Sequence, residues 1–421
     1  MATPYSKAVE RLRVIVESTF ATDATGSLGS FTDVPANEGS MTVTLNKAEM
    51  DPNYLLQRRM DARPRVLGPK RPQLKFTITL APTGTAAGAS TAAVSGCLGL
   101  LLKAVMGGED LGTGTTFSAG WTAITGTVAS ASGLTAGAYI GWRNSSGVVE
   151  WRQIKSKSSN TLVLAHGFSG TPANSDVCYA AATYYVTEDP SQSLQFIAYG
   201  QSTADRWLLL GCQCVGFDLS VDPSGKGIPS ITFTFEAANW LEGGSTAGSI
   251  TGTIADATYT NYSPIVEYAG DYEMFTVGTP TYVATTCQVP ISALSWKPKF
   301  TFTALTSPSA TATATGGSPI FRWRATRTNP PLEGSFTTFM DAMTWWNKRD
   351  AKASMAQQYT IGISGGSAIV LAAPTVQVLN PQRGASDQEI EGQVVSIVGR
   401  CNTDTALSTD LAKSPFVIVL G

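Results

Sequence analysis

The single histidine of the chain, His166, limits the acid–base chemistry that the sequence could support. It lies in the segment AHGFSG, three residues before Ser169. That spacing is too short to position a serine nucleophile against its general base. The Gly and Ser residues around it are typical of a surface loop. The sequence therefore predicts no catalytic triad at His166.

Cysteines and glycine-rich segments indicate neither a metal site nor a nucleotide site. Of the six cysteines, only Cys212 and Cys214 are close, and no second pair follows at zinc-finger spacing. The segments GGSPI and ISGGSA lack the Lys and the strand-to-helix context of a phosphate loop. Scattered acidic residues neither indicate nor exclude a glycosidase carboxylate pair. We therefore expect no cofactor, no metal and no enzyme activity, and reduced, mostly buried thiols.

Composition favours a β-rich fold without a basic surface. Charged residues make up 14% of the 421 residues, well below about 25% in typical soluble proteins. A net charge of −2 lacks the positive field of a protein that grips nucleic acid. The length predicts two to three domains, and we expect neither a secretory leader nor a membrane-spanning helix.

Strand and helix patterns give the elements of this fold. Alternation is clearest in KFTITL (75–80), ITFTFE (231–236) and KFTFT (299–303), each with apolar residues on one face and Thr or Lys on the other. Helical spacing of apolar residues predicts helices over 91–106 and 335–349, the second with Ser335 as N-cap. The Trp345–Trp346 pair on that helix could form a ligand platform, but core packing is the more common role.

These elements repeat in order, which predicts two copies of one domain. KFTITL precedes the first helix and KFTFT the second, and each helix is followed by strand, turn, long strand, turn and strand. The predicted organisation is a first domain at 1–110 and 188–240, an inserted β module at 111–187, a linker at 241–262 and a second domain at 263–421. The insert should hang off the surface with its ends close together.

One long segment, 49–71, is too long for an ordinary β–β connection. It holds six basic and three acidic residues, and KFTFT has no matching segment before it. We expect it to contact neighbouring subunits through arginines that favour planar bidentate partners: Arg58, Arg59, Arg63 and Arg65.

The order of motifs resembles the major tail tube proteins of long-tailed, non-contractile bacteriophages. The opening RLRVIVESTFATDATG, the helix SGCLGLLLKAVMGG and the closing phrase DPSGKGIPSITFTFEAANW carry the resemblance. It implies a virion protein made in the host cytoplasm, with tandem β-sandwich or barrel domains, each with one flanking helix. Such domains pair their sheets around a ring, and the rings stack into a tube that surrounds the tape-measure protein and later conducts double-stranded DNA.

The resemblance also implies the assembly state and the partners. Single-domain relatives form six-fold rings, so a chain with two domains is expected to form a trimer with pseudo-six-fold symmetry. Its partners would be itself, the tail terminator and the tail-tip proteins, with no membrane and no specific binding of the contents of the lumen. The lumen would be lined by uncharged side chains with a scattered acid: Thr77, Thr79, Thr232, Thr234, Glu236, Thr301 and Thr303.

Other β-rich structural or binding proteins share this composition. A capsid decoration protein, a baseplate component or a carbohydrate-binding adhesin is the main alternative, and a phage hydrolase is the enzyme alternative. None of these gives a reason for the repeated strand–helix–strand order.

Overall fold

A computed structural model describes most of the chain. The described residues are 11–21, 31–50, 66–80, 96–187, 192–199, 206–221, 229–242, 270–277, 281–283, 287–306, 320–339, 344–362, 368–385, 391–401 and 410–421. Most of them lie in β-strands, so the predicted mainly β fold class is confirmed.

The strands are numbered in chain order over the described residues. The first twelve are β1 (Arg11–Val16), β2 (Thr32–Val34), β3 (Thr42–Met50), β4 (Val66–Thr79), β5 (Gly107–Leu111), β6 (Thr115–Thr116), β7 (Thr125–Thr127), β8 (Tyr139–Arg143), β9 (Val149–Ser158), β10 (Thr161–Leu164), β11 (Val177–Ala180) and β12 (Ala182–Val186). The others are β13 (Leu194–Tyr199), β14 (Arg206–Ser220), β15 (Ser230–Glu236), β16 (Asn239–Glu242), β17 (Gly270–Thr276), β18 (Ile291–Thr306), β19 (Ile320–Phe339), β20 (Ser354–Ile361), β21 (Ile369–Ala385), β22 (Glu391–Gly399) and β23 (Val417–Leu420). The helices are α1 (Gly96–Met106), α2 (Thr344–Asp350) and α3 (Asp410–Lys413).

Two of the sheets have the same internal topology. The first contains the antiparallel order β1-β13-β14-β15-β4-β3, and the second contains β17-β20-β21-β22-β19-β18. Helix α1 follows β4 in the first sheet, as α2 follows β19 in the second. We call β1, β3, β4, α1 and β13–β15 copy 1, and β17–β19, α2 and β20–β22 copy 2.

The two copies also share their irregularities. The pairing of β13 with β14 shifts between Leu194 and Phe196, and that of β20 with β21 shifts between Met355 and Gln357. A second shift, between Cys214 and Gly216 in β14, is matched by one between Val378 and Asn380 in β21. Because bulges of this kind are specific local features, a common position in both sheets aligns the copies residue by residue.

The structure corrects the predicted match between the two repeats. KFTITL lies in β4, whereas KFTFT lies in β18, which is the equivalent of β3. Copy 2 therefore has its own long hairpin, β18–β19, in the place of β3–β4. We call the outer part of each hairpin, past its last pairing with β15 or β22, an arm. Arm 1 pairs Asn46–Met50 with Val66–Arg71, and arm 2 pairs Phe300–Thr306 with Ile320–Arg327.

The second predicted helix begins later than expected. Residues 335–339 continue β19, and α2 starts only at Thr344. Phe336 is buried and alternates with Ser335 and Thr337, as in a strand. Its spacing from the apolar residues that follow also fits a helix, which explains the wrong prediction. Trp345, not Trp346, is buried, with its ring edge-on to Phe336 at 5.1 Å. Helix α1 is confirmed, with its apolar face packed in the main core: Cys97, Leu98, Leu101, Leu102 and Val105.

Residues 115–180 form a separate six-stranded sheet among the described residues, in the order β6-β11-β8-β9-β10-β7. Its ends are close, because Leu111 in β5 pairs with Ala182 in β12. This sheet does not simply hang off the surface. One side, including Tyr139, Val149 and Trp151, packs on the outer face of copy 2, and β12 pairs with β23 beside β21.

Candidate functional site

The polar face of copy 1 brings together five of the residues predicted to line a lumen. On β4 and β15, Phe76, Ile78, Ile231, Phe233 and Phe235 point into the core. The alternate positions are half-buried on the other face: Thr77, Thr79, Thr232, Thr234 and Glu236. The hydroxyls of Thr77 and Thr232 are 2.8 Å apart and form a cross-strand hydrogen bond.

Charges on this face are nearly balanced. Glu236 lies 3.7 Å from the guanidinium of Arg71, an ion pair too long to be a hydrogen bond. Burial raises the pKa of Glu236, and Arg71 partly opposes that rise. Lys75 and Asp218 are exposed on the same face. A surface with Thr hydroxyls and paired charges offers a polyanion little net attraction.

Copy 2 presents an equivalent face with other residues than predicted. Ser335 pairs with Ser295 on one side and Ser396 on the other, in the place of Lys75 between Thr42 and Thr234. The alternation of Ser and Thr in GSFTTF could have indicated this face, but that segment was interpreted as a helix.

The remaining predicted residues do not join these faces in the described part of the chain. Thr301 and Thr303 lie on arm 2, opposite Thr326 and Arg324, where β18 pairs only with β19. Arg58, Arg59, Arg63 and Arg65 lie outside the described residues. The ends of their segment are strand, since Met50 pairs with Val66 at the end of arm 1.

Arm 2 packs against copy 1 in an apolar pocket that the sequence analysis missed. Phe302 is 5% exposed and lies in a cluster with the loop after β1, the bulge of β14 and the end of β15. We call this the docking pocket; its walls are Phe20, Ala21, Val215 and Ala238. A buried phenylalanine that joins one copy to the other makes the pocket a candidate assembly element.

Glu17 holds the wall of this pocket in place. Its carboxylate accepts hydrogen bonds from Gly211 N at 2.7 Å, Ala21 N at 3.0 Å and Ser193 Oγ at 2.5 Å. Gly211 has φ of +63°, and a Cβ there would lie 2.8 Å from the Ala238 Cβ, so a larger residue would push into the pocket. Burial raises the pKa of Glu17, and these hydrogen bonds partly offset that rise.

The residues weighed as catalytic have other partners. The Ser169 hydroxyl donates to Glu150, and the His166 ring stacks on Phe275 at 4.3 Å. In the part of the chain that the structure describes, no three His, Cys, Asp or Glu side chains come together as a metal site. None of its helices has the length and apolarity needed to cross a membrane. No disulfide is present among the described cysteines, and all are buried except Cys401.

Comparisons with known proteins give a weak structural likeness. No family model and no curated protein matches the chain. One solved structure, described as that of a type six secretion system protein, covers 32% of this chain and 88% of its own, at 8% identity and a TM-score of 0.20. A likeness of this size carries no argument about function.

Proposed function

We propose that the chain is a structural subunit that polymerises into stacked rings and forms the tail tube of a long-tailed bacteriophage. The observation that carries the proposal is the duplication. Two copies with the same strand order and the same bulges lie in one chain, and an arm of one packs on the other. This is a head-to-tail contact between like domains, and repetition of such a contact closes into a ring when the rotation allows it.

The polar sheet faces suit the inside of such a ring. The faces of both copies carry Thr and Ser, and the charges described on copy 1 are balanced, so a DNA duplex would pass with little retention. The resemblance of the sequence to major tail tube proteins supports the same role. On this proposal the ring is a trimer with pseudo-six-fold symmetry, and the tape-measure protein and DNA occupy its lumen in turn.

Electron microscopy of the purified protein tests the proposal. We expect tubes or rings whose averaged end views show three inserted sheets and six similar inner lobes. A homogeneous monomer at all concentrations and salt conditions, or true six-fold subunit symmetry, would contradict it. Isolated particles that bind glycans would instead favour an adhesin.

A further inference from the structure

Copy 2 has an exposed apolar residue at the position that the docking pocket occupies in copy 1. Val215 is the extra residue of the bulge in β14 and is partly buried in the cluster with Phe302. Leu379 is the extra residue of the equivalent bulge in β21, and it is 47% exposed. The two sites are therefore equivalent in the fold, but among the described residues only Val215 is covered by an arm.

Backbone hydrogen bonds extend this equivalence to the rest of the pocket. In copy 1, Glu17 N donates to Ser193 O, and in copy 2 Val277 N donates to Ser354 O, both at 3.0 Å. A second bond is matched in the same way. Ala238 N donates to Gly211 O at 3.3 Å in copy 1, and Arg400 N donates to Thr375 O at 2.9 Å in copy 2. Val277 thus takes the place of Glu17, and Arg400 takes the place of Ala238. We call Val277, Leu379 and Arg400 the copy 2 docking surface.

This surface has the character of an interface that the single chain leaves open. Val277 is 42% exposed and Leu379 47%, and they are two of the four large hydrophobic side chains exposed among the described residues. Exposed large apolar side chains on one sheet are typical of a contact site.

Arm 1 carries one acid, Glu49, among the basic residues Lys47, Lys70 and Arg71. Phe302 lies seven residues after Ser295, the residue equivalent to Thr42, and the same count from Thr42 reaches Glu49 on arm 1. Arm 2 thus brings a phenylalanine to a pocket with Ala238. Arm 1 carries an acid the same number of residues along its strand, although its pairing shifts between Lys47 and Glu49 rather than next to the last core pair, and the copy 2 docking surface carries Arg400. An apolar pair in one contact corresponds to an opposite-charge pair in the other.

We propose that arm 1 of a second copy of this chain docks on the copy 2 docking surface, in the way that arm 2 docks on copy 1 within the chain. Glu49 then lies beside Arg400 of the next subunit, and Leu379 is covered. The inference rests on the proposed ring assembly and names the surface that joins neighbouring subunits in it. It assigns the described part of arm 1 to contact within a ring and leaves the arginines of 58–65 for contact between rings.

Disulfide trapping between two different chains tests this contact. One chain carries Glu49→Cys and the other Arg400→Cys, both with Cys401→Ser to remove the neighbouring exposed thiol. We expect the oxidised mixture to give at least tenfold more covalent dimer than either chain alone. Assemblies seen by microscopy without this dimer would overturn the docking proposal and leave the tube proposal standing. Wild-type protein that forms no assembly at all would overturn both.

Charge substitutions supply a second readout with a matched control. Leu379→Glu should reduce assembly at least tenfold, whereas Phe339→Glu, at an equally exposed residue, should leave it unchanged. Arg400→Glu should weaken assembly, and Glu49→Arg combined with it should restore most of the loss. Equal effects of Leu379→Glu and Phe339→Glu, or no rescue by the charge swap, would count against the proposal. A doubly substituted Glu49→Cys/Arg400→Cys chain that cross-links within itself would place the contact inside one subunit and overturn it.

Discussion

Arg152 of the inserted sheet forms a bidentate ion pair with Glu273 of copy 2. Its Nη1 donates to Oε2 of Glu273 over 2.8 Å, and its Nη2 donates to Oε1 over 3.0 Å. The two side chains are only 2% and 4% exposed. Burial lowers the pKa of Arg152, but Glu273 and Glu150 outweigh it and raise the pKa overall, so the guanidinium stays charged. The insert is thus joined to copy 2 by a buried charge pair.

Removal of one partner of this pair should be far more damaging than removal of both. Arg152→Met leaves the buried Glu273 carboxyl without its ion-pair partner, and we expect a loss of about 3–5 kcal/mol in the free energy of unfolding. The double variant Arg152→Met/Glu273→Leu should recover most of that loss. Urea unfolding of both variants checks this, and additive losses in the double variant would contradict a direct pair.

Truncation of the arm contact should destabilise the chain before any assembly. Phe302→Ala removes a buried aromatic ring from the docking pocket, and we expect a loss of about 3 kcal/mol. Phe339→Ala is the matched control, because Phe339 is 47% exposed and its loss should cost less than about 0.5 kcal/mol. Similar unfolding midpoints for the two variants would mean that arm 2 contributes no stability.

The burial of Glu17 implies a pH dependence of stability. Because burial raises its pKa in the folded state, its contribution to stability is complete below the unfolded pKa, near 4.5, and is lost as pH rises through the raised folded value. The free energy of unfolding of wild type minus that of Glu17→Gln should therefore fall as pH increases from about 4.5. Denaturant titrations across that range measure the difference, and a rise with pH would show that the hydrogen bonds to the carboxylate outweigh its burial.

Positive charge on the polar face should slow the passage of DNA. In assembled tubes, Thr77→Lys with Thr232→Lys should retain duplex DNA, with a logarithmic salt dependence that steepens by about 0.9 per phosphate contact. Both sites are half-buried, so the long Lys stems can reach past the sheet surface. Thr116→Lys with Ser158→Lys on the inserted sheet is the control with equal charge. Equal retention by both pairs would place the polar face outside the lumen.

Local sequence patterns were sufficient for much of the fold. Alternation in KFTITL and ITFTFE predicted the polar face. This worked because β4 pairs with β15 without a register shift, so the polar residues of both strands point to the same side of the sheet. The same reasoning failed at 335–349, where β19 extends to Phe339 and α2 begins at Thr344, because the apolar spacing of this segment fits either period. Because 335–349 was predicted as a helix, the polar face around Ser335 in copy 2 was not predicted.

Contacts between distant parts of the chain could not be predicted in this way. The docking pocket joins Phe302 to Val215 and Phe20, and no local pattern states which distant apolar residues will meet. The insert is expected to hang off the surface because it interrupts a repeated domain, yet Trp151 packs on copy 2. Both contacts depend on the tertiary placement of whole sheets.

Strand β23 has a consequence for the order of synthesis. It lies between β12 and β21, so Ala182 pairs with Leu420 across most of the length of the chain. A ribosome releases β12 long before residues 417–420 emerge, and until then that edge of β12 lacks its partner. The face of copy 2 that holds the insert therefore closes only after residues 417–420 have been made, so contacts between sequence-distant strands complete this sheet.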